Sequence, residues 1–146
     1  MNAGALGGGG IITGSTTIGT GSGAGAFLQP GVGASKPTTL SIQGLLTLKS
    51  DSTYTYKLNT NKAKADQVVA NGVTIQGGAQ FSFNAVANKR LQQGLVFTAI
   101  NNPSAAPISG TFANLADGSV LTVGRNKFEV SYSGGDGNDL TLTVVQ

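Results

Sequence analysis

Short stretches of alternating apolar and polar residues, separated by glycine-rich turns, run through almost the whole sequence. In residues 53–58, two tyrosines and a leucine alternate with two threonines and a lysine. Because a β-strand points successive side chains to opposite faces, this alternation indicates strands with one face toward a core. No window has convincing helical spacing over three turns. We predict strands at residues 11–13, 16–18, 26–28, 38–42, 45–48, 53–58, 67–70, 73–76, 80–86, 95–100, 110–112, 119–123, 127–132 and 140–145.

The composition fits a single all-β domain. The chain has 146 residues, enough to bury a core, with 23 glycines and only 10% charged residues. Threonine and other β-branched residues suit a pleated surface, whereas long charged side chains suit the surface of helices. Valine, isoleucine, leucine and phenylalanine recur in short runs along the sequence, which is not typical of a disordered chain. We therefore treat residues 1–146 as one domain.

Two all-β architectures accommodate many short strands with frequent turns. A sandwich or barrel pairs neighbouring strands as hairpins, and Asn71-Gly72 is a strong hairpin signal. A parallel β-helix instead uses glycine turns as corners, and each strand stacks on its equivalent one coil away. Several predicted strands here have three to five residues, with one to three residues between them. This tight spacing favours the β-solenoid.

The glycine-rich N-terminal region, residues 1–26, has two interpretations. A flexible glycine linker needs no regular spacing of apolar residues. The isoleucines Ile11, Ile12 and Ile18 recur at a short and steady spacing, with glycine, serine and alanine between the apolar groups. We therefore expect ordered, narrow coils in this region.

Missing residue types exclude several kinds of active site within this chain. It has no histidine and no cysteine, which excludes the usual zinc sites, thiol nucleophiles and Ser-His-Asp triads. The net charge of +3 is spread thinly rather than along a continuous stripe, so we expect no nucleic-acid partner. No apolar stretch approaches the length of a membrane-spanning helix, so we expect no membrane insertion by this segment. We also expect any signal peptide to lie outside it.

The turn at residues 133–139 carries the only candidate metal ligands. Residues 134–142 fit the pattern G-G-x-G-x-D-x-U-x, the repeat unit of calcium-loaded parallel β-rolls. Asp136 and Asp139 are therefore weak calcium candidates. A calcium ion takes six to eight oxygen ligands, and a β-roll gathers them from two stacked turns. Only one such turn exists in this chain, so we favour a tight corner, with glycines at positive φ and the polar side chains capping backbone groups.

The carboxylates do not suggest a catalytic centre. Glycoside hydrolysis needs two acids across one cleft. Only Asp136 and Asp139 are close in sequence, and the other four acids are expected singly at strand ends or on solvent faces. These other acids are Asp51, Asp66, Asp117 and Glu129. We expect no catalytic residues and no bound cofactor.

Two pairs of aromatic residues could serve either packing or ligand binding. Tyr54 and Tyr56 share a face with Leu58, so they could line a sugar-binding strip or belong to the inward face. Alternation favours the inward face for the tyrosines, and more firmly for Phe81 and Phe83.

Five segments of the chain, in order, are similar to motifs of one protein family. Residues 27–31 (FLQPG), 39–48 (TLSIQGLLTL), 66–75 (DQVVANGVTI), 108–118 (ISGTFANLADG) and 130–142 (VSYSGGDGNDLTL) resemble the autotransporter-associated β-strand repeat family, also called passenger-associated transport repeats. The resemblance covers about four fifths of the chain, residues 27–146. It implies a right-handed parallel β-helix that is secreted or exposed on a bacterial cell surface. The chain would be one module of a longer passenger or a free-standing secreted relative.

Together these observations predict a non-enzymatic structural or adhesive β-solenoid. The ends of a solenoid are open strand edges, so we expect self-association, or contact with adjoining repeats, through terminal coils near residues 11–18 or 140–145. A host or surface glycan or protein is a further possible partner. A calcium-stabilised β-roll-like module and a polysaccharide-binding or polysaccharide-cleaving β-helix protein remain alternatives.

Overall fold

The computed structural model describes residues 4–23, 25–31, 38–86, 89–135 and 137–145. This part of the chain consists of strands and turns and contains no helix, so the protein is all-β, as the alternation predicts. The strands, in chain order, are β1 (Gly4–Gly7), β2 (Gly10–Ile12), β3 (Thr16–Ile18), β4 (Ala26–Gln29), β5 (Thr39–Ile42), β6 (Leu46–Leu48), β7 (Ser52–Asn59), β8 (Lys64–Ala65), β9 (Gln67–Ala70), β10 (Val73–Ile75), β11 (Gln80–Val86), β12 (Val96–Asn101), β13 (Val120–Val123), β14 (Asn126–Gly134) and β15 (Asp139–Val144).

Three sheets receive strands in a repeating order along the chain. Sheet A has the order β1-β4-β7-β11, sheet C contains β3, β6 and β10, and sheet B begins β2-β5-β9-β12. Neighbouring strands within these series are parallel. The chain thus visits A, B and C in turn, and each round is termed a layer. Layer 1 is β1 to β3, layer 2 is β4 to β6, layer 3 is β7 to β10, and layer 4 begins with β11 and β12.

The register keeps apolar side chains in columns that run from layer to layer. In sheet A, Leu28 pairs with Tyr54 and Tyr54 pairs with Phe81, and all three side chains are buried. The inward column of sheet C is equally apolar: Ile18, Leu48 and Ile75. Because the layers stack in register, each apolar side chain meets its equivalent in the next layer, and the columns merge into one core.

Aromatic rings join the parallel layers to the C-terminal part of the chain. Tyr56 contacts Phe83 with ring centroids 5.5 Å apart, and Phe83 contacts Phe128 at 5.3 Å. Tyr54 and Tyr56 are fully buried and Phe81 is nearly so, while Phe83 is partly buried and packs on the same core. The packing interpretation of these four residues is confirmed.

Sheet B changes from parallel to antiparallel pairing after β12. This strand pairs in parallel with β9 only at Ile100 and Asn101, and its other side pairs antiparallel with β15. Beyond β15 lie β14 and then β13, both antiparallel. On β14 the side chain of Phe128 is buried, whereas Lys127 and Glu129 are exposed, so Phe128 faces the core and the two charged residues lie on the outer face.

The Asn71-Gly72 turn does not form a hairpin. The strands that flank it, β9 and β10, belong to different sheets and do not pair. Both sides of β9 are already occupied, by β5 and β12, so the turn acts as a corner. Gly72 has φ 102°, and a Cβ there would lie 3.1 Å from Leu45 Cδ1 in the layer below. A glycine is required for this corner rather than for a hairpin. Most of the strand pairs among the described residues are parallel, which is the pairing that a β-solenoid needs.

Three local predictions differ from the structure. Residues 110–112 do not form a strand, because Gly110 (φ 84°) crosses so close to β10 that a Cβ would lie 2.0 Å from Ile75 O. Residues 59–65, which lie between two predicted strands and were not assigned a strand, contain β8, which pairs antiparallel with the end of β7. Finally, β1 was not predicted, since its sequence GALG does not alternate. Within residues 1–26, where ordered coils are expected, the described part contains β1, β2, β3 and the start of β4, joined by short turns, and is not an extended linker.

Candidate functional site: the two ends of the strand stack

Layer 1 exposes the outer edges of three strands at the N-terminal end. The strands β1, β2 and β3 each pair on one side only among the described residues. In β2 the Gln43 N–H donates to Ile12 O at 2.8 Å, so the peptide groups of Ile12 face β5. Because successive residues of a strand turn their N–H and C=O groups to opposite sides, those of Ile11 face the open side. The Ile11 side chain is 67% exposed.

At the C-terminal end, a later segment lies across the outer strands of sheets C and A. Above β10, the Ile75 N–H donates to Ser109 O at 2.7 Å, and the Ser109 N–H donates to Val73 O at 2.9 Å. At the start of β11, the Ala113 N–H donates to Ala79 O at 2.7 Å. The chain after β12 therefore supplies hydrogen-bond partners that a further parallel layer would otherwise provide.

A side-chain amide continues this cover along β11. Asn114 Oδ1 accepts a hydrogen bond from Phe81 N–H, and Asn114 Nδ2 donates to Phe81 O, both at 2.8 Å. One amide thus satisfies both peptide groups of an edge residue, as a neighbouring strand would. In sheet B, β15 covers β12. The remaining outer strand at this end is β13, which is short and lies beside the exposed Lys127 of β14, two features that blunt an edge.

Tyr132 holds the covering segment, residues 108–118, in place. Its hydroxyl donates to Leu115 O at 2.5 Å and accepts a hydrogen bond from Phe112 N–H at 3.1 Å. The Tyr132 N–H donates to Asp117 Oδ1 at 3.1 Å. Burial raises the pKa of Tyr132 to about 12, so the hydroxyl keeps its proton and its donor role at neutral pH. The covering segment is thus fixed to the core by Tyr132, by Asp117 and by the side chain of Phe112, which is 1% exposed.

Of the two weak calcium candidates, Asp136 and Asp139, the structure describes only Asp139. Asp136 lies outside the described residues. Asp139 is buried, and its Oδ1 accepts a hydrogen bond from Asn102 N–H at 2.9 Å. At Gly135 (φ 58°) a Cβ would lie 2.2 Å from Asp139 Oδ2, so the turn needs a glycine there. Asp139 caps a backbone group, the role predicted for it in the corner interpretation.

The neighbouring Asn138 takes part in the same corner, since its Nδ2 donates to Ser104 O. Among the described residues, no three His, Cys, Asp or Glu side chains group together as metal ligands would. Because Asp136 is not among those residues, calcium binding at this turn stays a prediction, as does its absence.

Asp51 caps a corner near the N-terminal end. Its carboxylate accepts hydrogen bonds from Thr20 N–H at 2.9 Å and from Gly21 N–H at 2.7 Å. These hydrogen bonds, that from Thr20 first, hold the pKa of Asp51 below its usual value. At Gly19 a Cβ would lie 2.3 Å from Asp51 Oδ1, so the glycine lets the carboxylate approach.

Asp66 caps a corner between sheets A and B. Its Oδ1 accepts a hydrogen bond from Thr38 N–H and its Oδ2 accepts one from Lys57 N–H, both at 3.0 Å. Asp66 is buried, and this burial raises the pKa of the carboxyl group even though the hydrogen bonds act in the opposite direction. The expectation that Asp66 lies at a strand end is right, but it is not on a solvent face.

A cleft of about 380 Å³ opens beside Asp66, between the β8 corner and the first half of β12. Two observations distinguish it. Ala63, at its rim, has φ 53°, a conformation that non-glycine residues rarely adopt. The hydroxyl of Tyr56 is buried and has no hydrogen-bond partner among the described residues. The lining residues are Thr39, Tyr56, Ala63, Lys64, Ala65, Asp66, Gln67, Val96, Phe97 and Thr98.

Sequence reasoning did not find this cleft, nor Asn114 and Tyr132. The alternation identifies Tyr56 as inward-facing but says nothing about whether its hydroxyl has a partner. Asn114 is in an irregular segment, where no periodicity indicates what its amide contacts. A weak signal was present for Asp66, which follows a short polar turn and directly precedes a strand.

In comparisons with known proteins, no family model, no curated protein and no solved structure matches this chain. The similarity to autotransporter-associated repeats therefore rests on the five sequence motifs. Within the described part of the chain, no helix has the length and apolar character needed to cross a membrane.

Proposed function

We propose that the layers form a right-handed parallel β-helix, and that the chain is a non-enzymatic structural module of a secreted or surface-exposed bacterial protein. The repeated visits to sheets A, B and C support the helix, and crossovers between parallel strands are nearly always right-handed. Sequence motifs similar to passenger repeats support the location.

The roles of the carboxylates support a structural function. Asp51, Asp66, Asp117 and Asp139 each accept a hydrogen bond from a backbone N–H group. Glu129 is exposed on the outer face of β14. Carboxylates that cap corners are committed to backbone groups rather than to a substrate.

The observation that carries the proposal is the open edge of layer 1. Unpaired strand edges favour addition of a strand from another chain or repeat. We propose that layer 1 docks against an adjoining repeat or a second copy of this chain. Ile11 is central to this contact, since its peptide groups face the open side and its side chain is exposed.

Isolated copies of this chain should associate as dimers rather than filaments. A filament needs a different surface at each end of the subunit. Here the C-terminal ends of sheets A and C are covered by residues 108–118, and β12 is covered by β15. Among the outer strands that the structure describes, β13 is short and lies beside the exposed Lys127, so we place the pairing at the layer 1 edges. Two copies then meet N-terminal end to N-terminal end, and the contact closes on itself.

Sedimentation velocity over a range of concentrations tests this proposal. We expect a reversible dimer for the unsubstituted chain and a monomer for Ile11→Lys, because a lysine on an edge strand opposes strand addition. Val120→Lys is the matched control, since Val120 is also β-branched, is 56% exposed and lies on the outer strand β13. Loss of association in Val120→Lys but not in Ile11→Lys would place the interface at β13 instead of layer 1 and would refute the proposal.

A further inference from the structure

The cations that are thinly spread along the sequence come together in the fold. Six of the nine lysine and arginine residues are exposed and lie in three short segments. Two of these segments connect sheet A to sheet B, between β7 and β9 and between β11 and β12, and the third spans the start of β14. We term these six residues the basic corner: Lys62, Lys64, Lys89, Arg90, Arg125 and Lys127.

Hydrogen bonds hold the three segments of the basic corner side by side. From the first segment, the Thr60 N–H donates to Val86 O at 3.1 Å, and Thr60 Oγ1 accepts a hydrogen bond from Lys89 N–H at 2.9 Å. From the third, Asn126 Nδ2 donates to Lys89 O at 2.9 Å, and Asn126 Oδ1 accepts one from Leu91 N–H at 2.7 Å. Thr60 and Asn126 are both buried, so they fix the second segment between the other two.

Exposed aliphatic side chains lie among these cations. Val86, whose carbonyl group accepts the hydrogen bond from the first segment, is 37% exposed. Val96 is 56% exposed and lines the same cleft as Lys64, and its neighbour Leu95 is 36% exposed. The basic corner therefore combines positive charge with apolar groups that are in contact with water.

Two carboxylates lie near the basic corner among the described residues, and they are too few to neutralise it. Asp66 is buried and accepts hydrogen bonds from the N–H groups of Thr38 and Lys57. Glu129 is exposed on the outer face of β14, two residues from Lys127. Because six exposed cations face one exposed carboxylate, this part of the surface attracts anions.

We infer that the basic corner binds the surface of an anionic lipid bilayer. Lysine and arginine attract anionic headgroups, and aliphatic side chains between them can enter the boundary between headgroups and acyl chains. A free polyanion would use the cations but would leave Val86, Leu95 and Val96 in water. A nucleic acid would further favour aromatic side chains for base stacking, whereas the exposed apolar groups here are aliphatic.

This contact is peripheral, since side chains enter the interface and the fold stays as it is. The basic corner belongs to layers 3 and 4 and to β14, so the inference does not rest on the association proposed for layer 1.

Co-sedimentation with lipid vesicles tests the inference. Vesicles of phosphatidylcholine alone are compared with vesicles of phosphatidylcholine and phosphatidylglycerol in equal parts. We expect the protein to bind the anionic vesicles and to bind the neutral ones at least about tenfold more weakly. Raising the salt concentration from about 0.1 M to about 0.5 M should weaken the binding severalfold, because salt screens the attraction.

Single substitutions locate the contact. Lys64→Gln and Lys89→Gln should each weaken binding about fivefold, since each removes one cation near the anionic surface. Lys49→Gln is the matched control, because Lys49 lies at the corner between sheets C and A and should leave binding unchanged. Val96→Thr keeps the shape of the side chain but replaces a methyl group with a hydroxyl, so binding should weaken about three- to fourfold.

Three results would overturn the inference. The first is no binding to the anionic vesicles, or equal binding to anionic and neutral vesicles. The second is an equal loss in Lys49→Gln and Lys89→Gln, which would indicate a general effect of net charge. The third is binding that Val96→Thr leaves unchanged and that free heparin abolishes, which would identify the partner as a free polyanion.

Discussion

The N-terminal and C-terminal ends of the strand stack differ in what lies across their outermost strands. At the N-terminal end, β1, β2 and β3 have no partner strand on their outer side among the described residues. At the C-terminal end, Ser109, Ala113 and Asn114 make backbone-like hydrogen bonds to β10 and β11, and β15 pairs with β12.

This difference indicates how a stack of layers can be terminated. Each strand edge presents N–H and C=O groups that need partners. The C-terminal segment supplies these partners with irregular backbone and one asparagine side chain, and Tyr132 and Phe112 attach it to the core. The glycine-rich layer 1 has no such segment in the described chain, so we expect it to obtain partners from another repeat or another copy.

The largest expected effect is a difference in the free energy of unfolding between substitutions at the two ends. Phe112→Ala should lower the free energy of unfolding by about 3–5 kcal/mol, because it leaves a cavity under the covering segment. Ile11→Ala should change it by less than about 0.5 kcal/mol, because Ile11 is largely exposed. Urea denaturation of the monomeric protein measures both. Equal effects would mean that the covering segment is not attached as described.

A smaller effect is expected when the cover itself is opened. Asn114→Ala removes both hydrogen bonds to Phe81 and should cost about 1–3 kcal/mol. It also exposes the β11 edge, so species larger than a dimer should appear in sedimentation velocity. Asn114→Asp is a second comparison: it keeps the acceptor for Phe81 N–H but places a carboxylate oxygen, which cannot donate, opposite Phe81 O, so it should also destabilise the protein. A dimer of unchanged size and stability in Asn114→Ala would contradict the role assigned to this amide.

The next prediction compares two tyrosines of β7. Tyr54→Phe should lower the free energy of unfolding by about 0.5–1.5 kcal/mol, because the hydroxyl bonded to Ala99 O ties layer 3 to layer 4. Tyr56→Phe should have no cost or should stabilise the protein, since its hydroxyl has no partner to lose. Thermal or urea unfolding of both variants decides this, and an equal loss in Tyr56→Phe would show that its hydroxyl is bonded.

The smallest effects are expected from pH and concern two corner aspartates. The pKa of Asp51 is lowered by hydrogen bonds from Thr20 and Gly21, so its contribution to stability is present above the unfolded value and is lost as the pH falls through the folded pKa. The pKa of Asp66 is raised by burial, so its contribution is present below the unfolded value and is lost as the pH rises through the folded pKa.

The Asn variants test the opposite signs of these two groups. The destabilisation caused by Asp51→Asn should shrink as the pH falls from about 6 to about 2. Between about pH 3 and pH 6, the free energy of unfolding of Asp66→Asn, relative to that of the original protein, should instead increase as the pH rises. Unfolding measured at several pH values gives both slopes. Slopes of the same sign would contradict the environments described for these carboxylates.

The sequence predicts the regular part of the molecule well, and the reason is periodicity. Strands β3, β9 and β11 begin or end where alternation and glycine turns predict, because buried and exposed residues must alternate on a pleated sheet. The type of turn at Asn71-Gly72 does not follow from the sequence, because a glycine with positive φ suits both a hairpin and a corner. Only the pairing of β9 with β5 and β12 shows that it is a corner.

The candidate sites were less predictable, because they depend on contacts between distant residues. The Asn114 amide meets Phe81, and Tyr132 meets Leu115, through irregular segments that have no period. The cleft arises from β8, a two-residue strand in a region that looks like a polar loop. Neither local composition nor alternation reports such contacts.

Hydrogen exchange at single amides tests the difference between the two ends most directly. In dilute, monomeric protein the Ile11 N–H should exchange with little protection, whereas the N–H groups of Phe81 and Ser109 should be strongly protected by their partners. At high concentration the Ile11 N–H should become protected as layer 1 finds a second copy. Strong protection of Ile11 in the dilute protein, or rapid exchange of Phe81 and Ser109, would contradict an open N-terminal end and a covered C-terminal end.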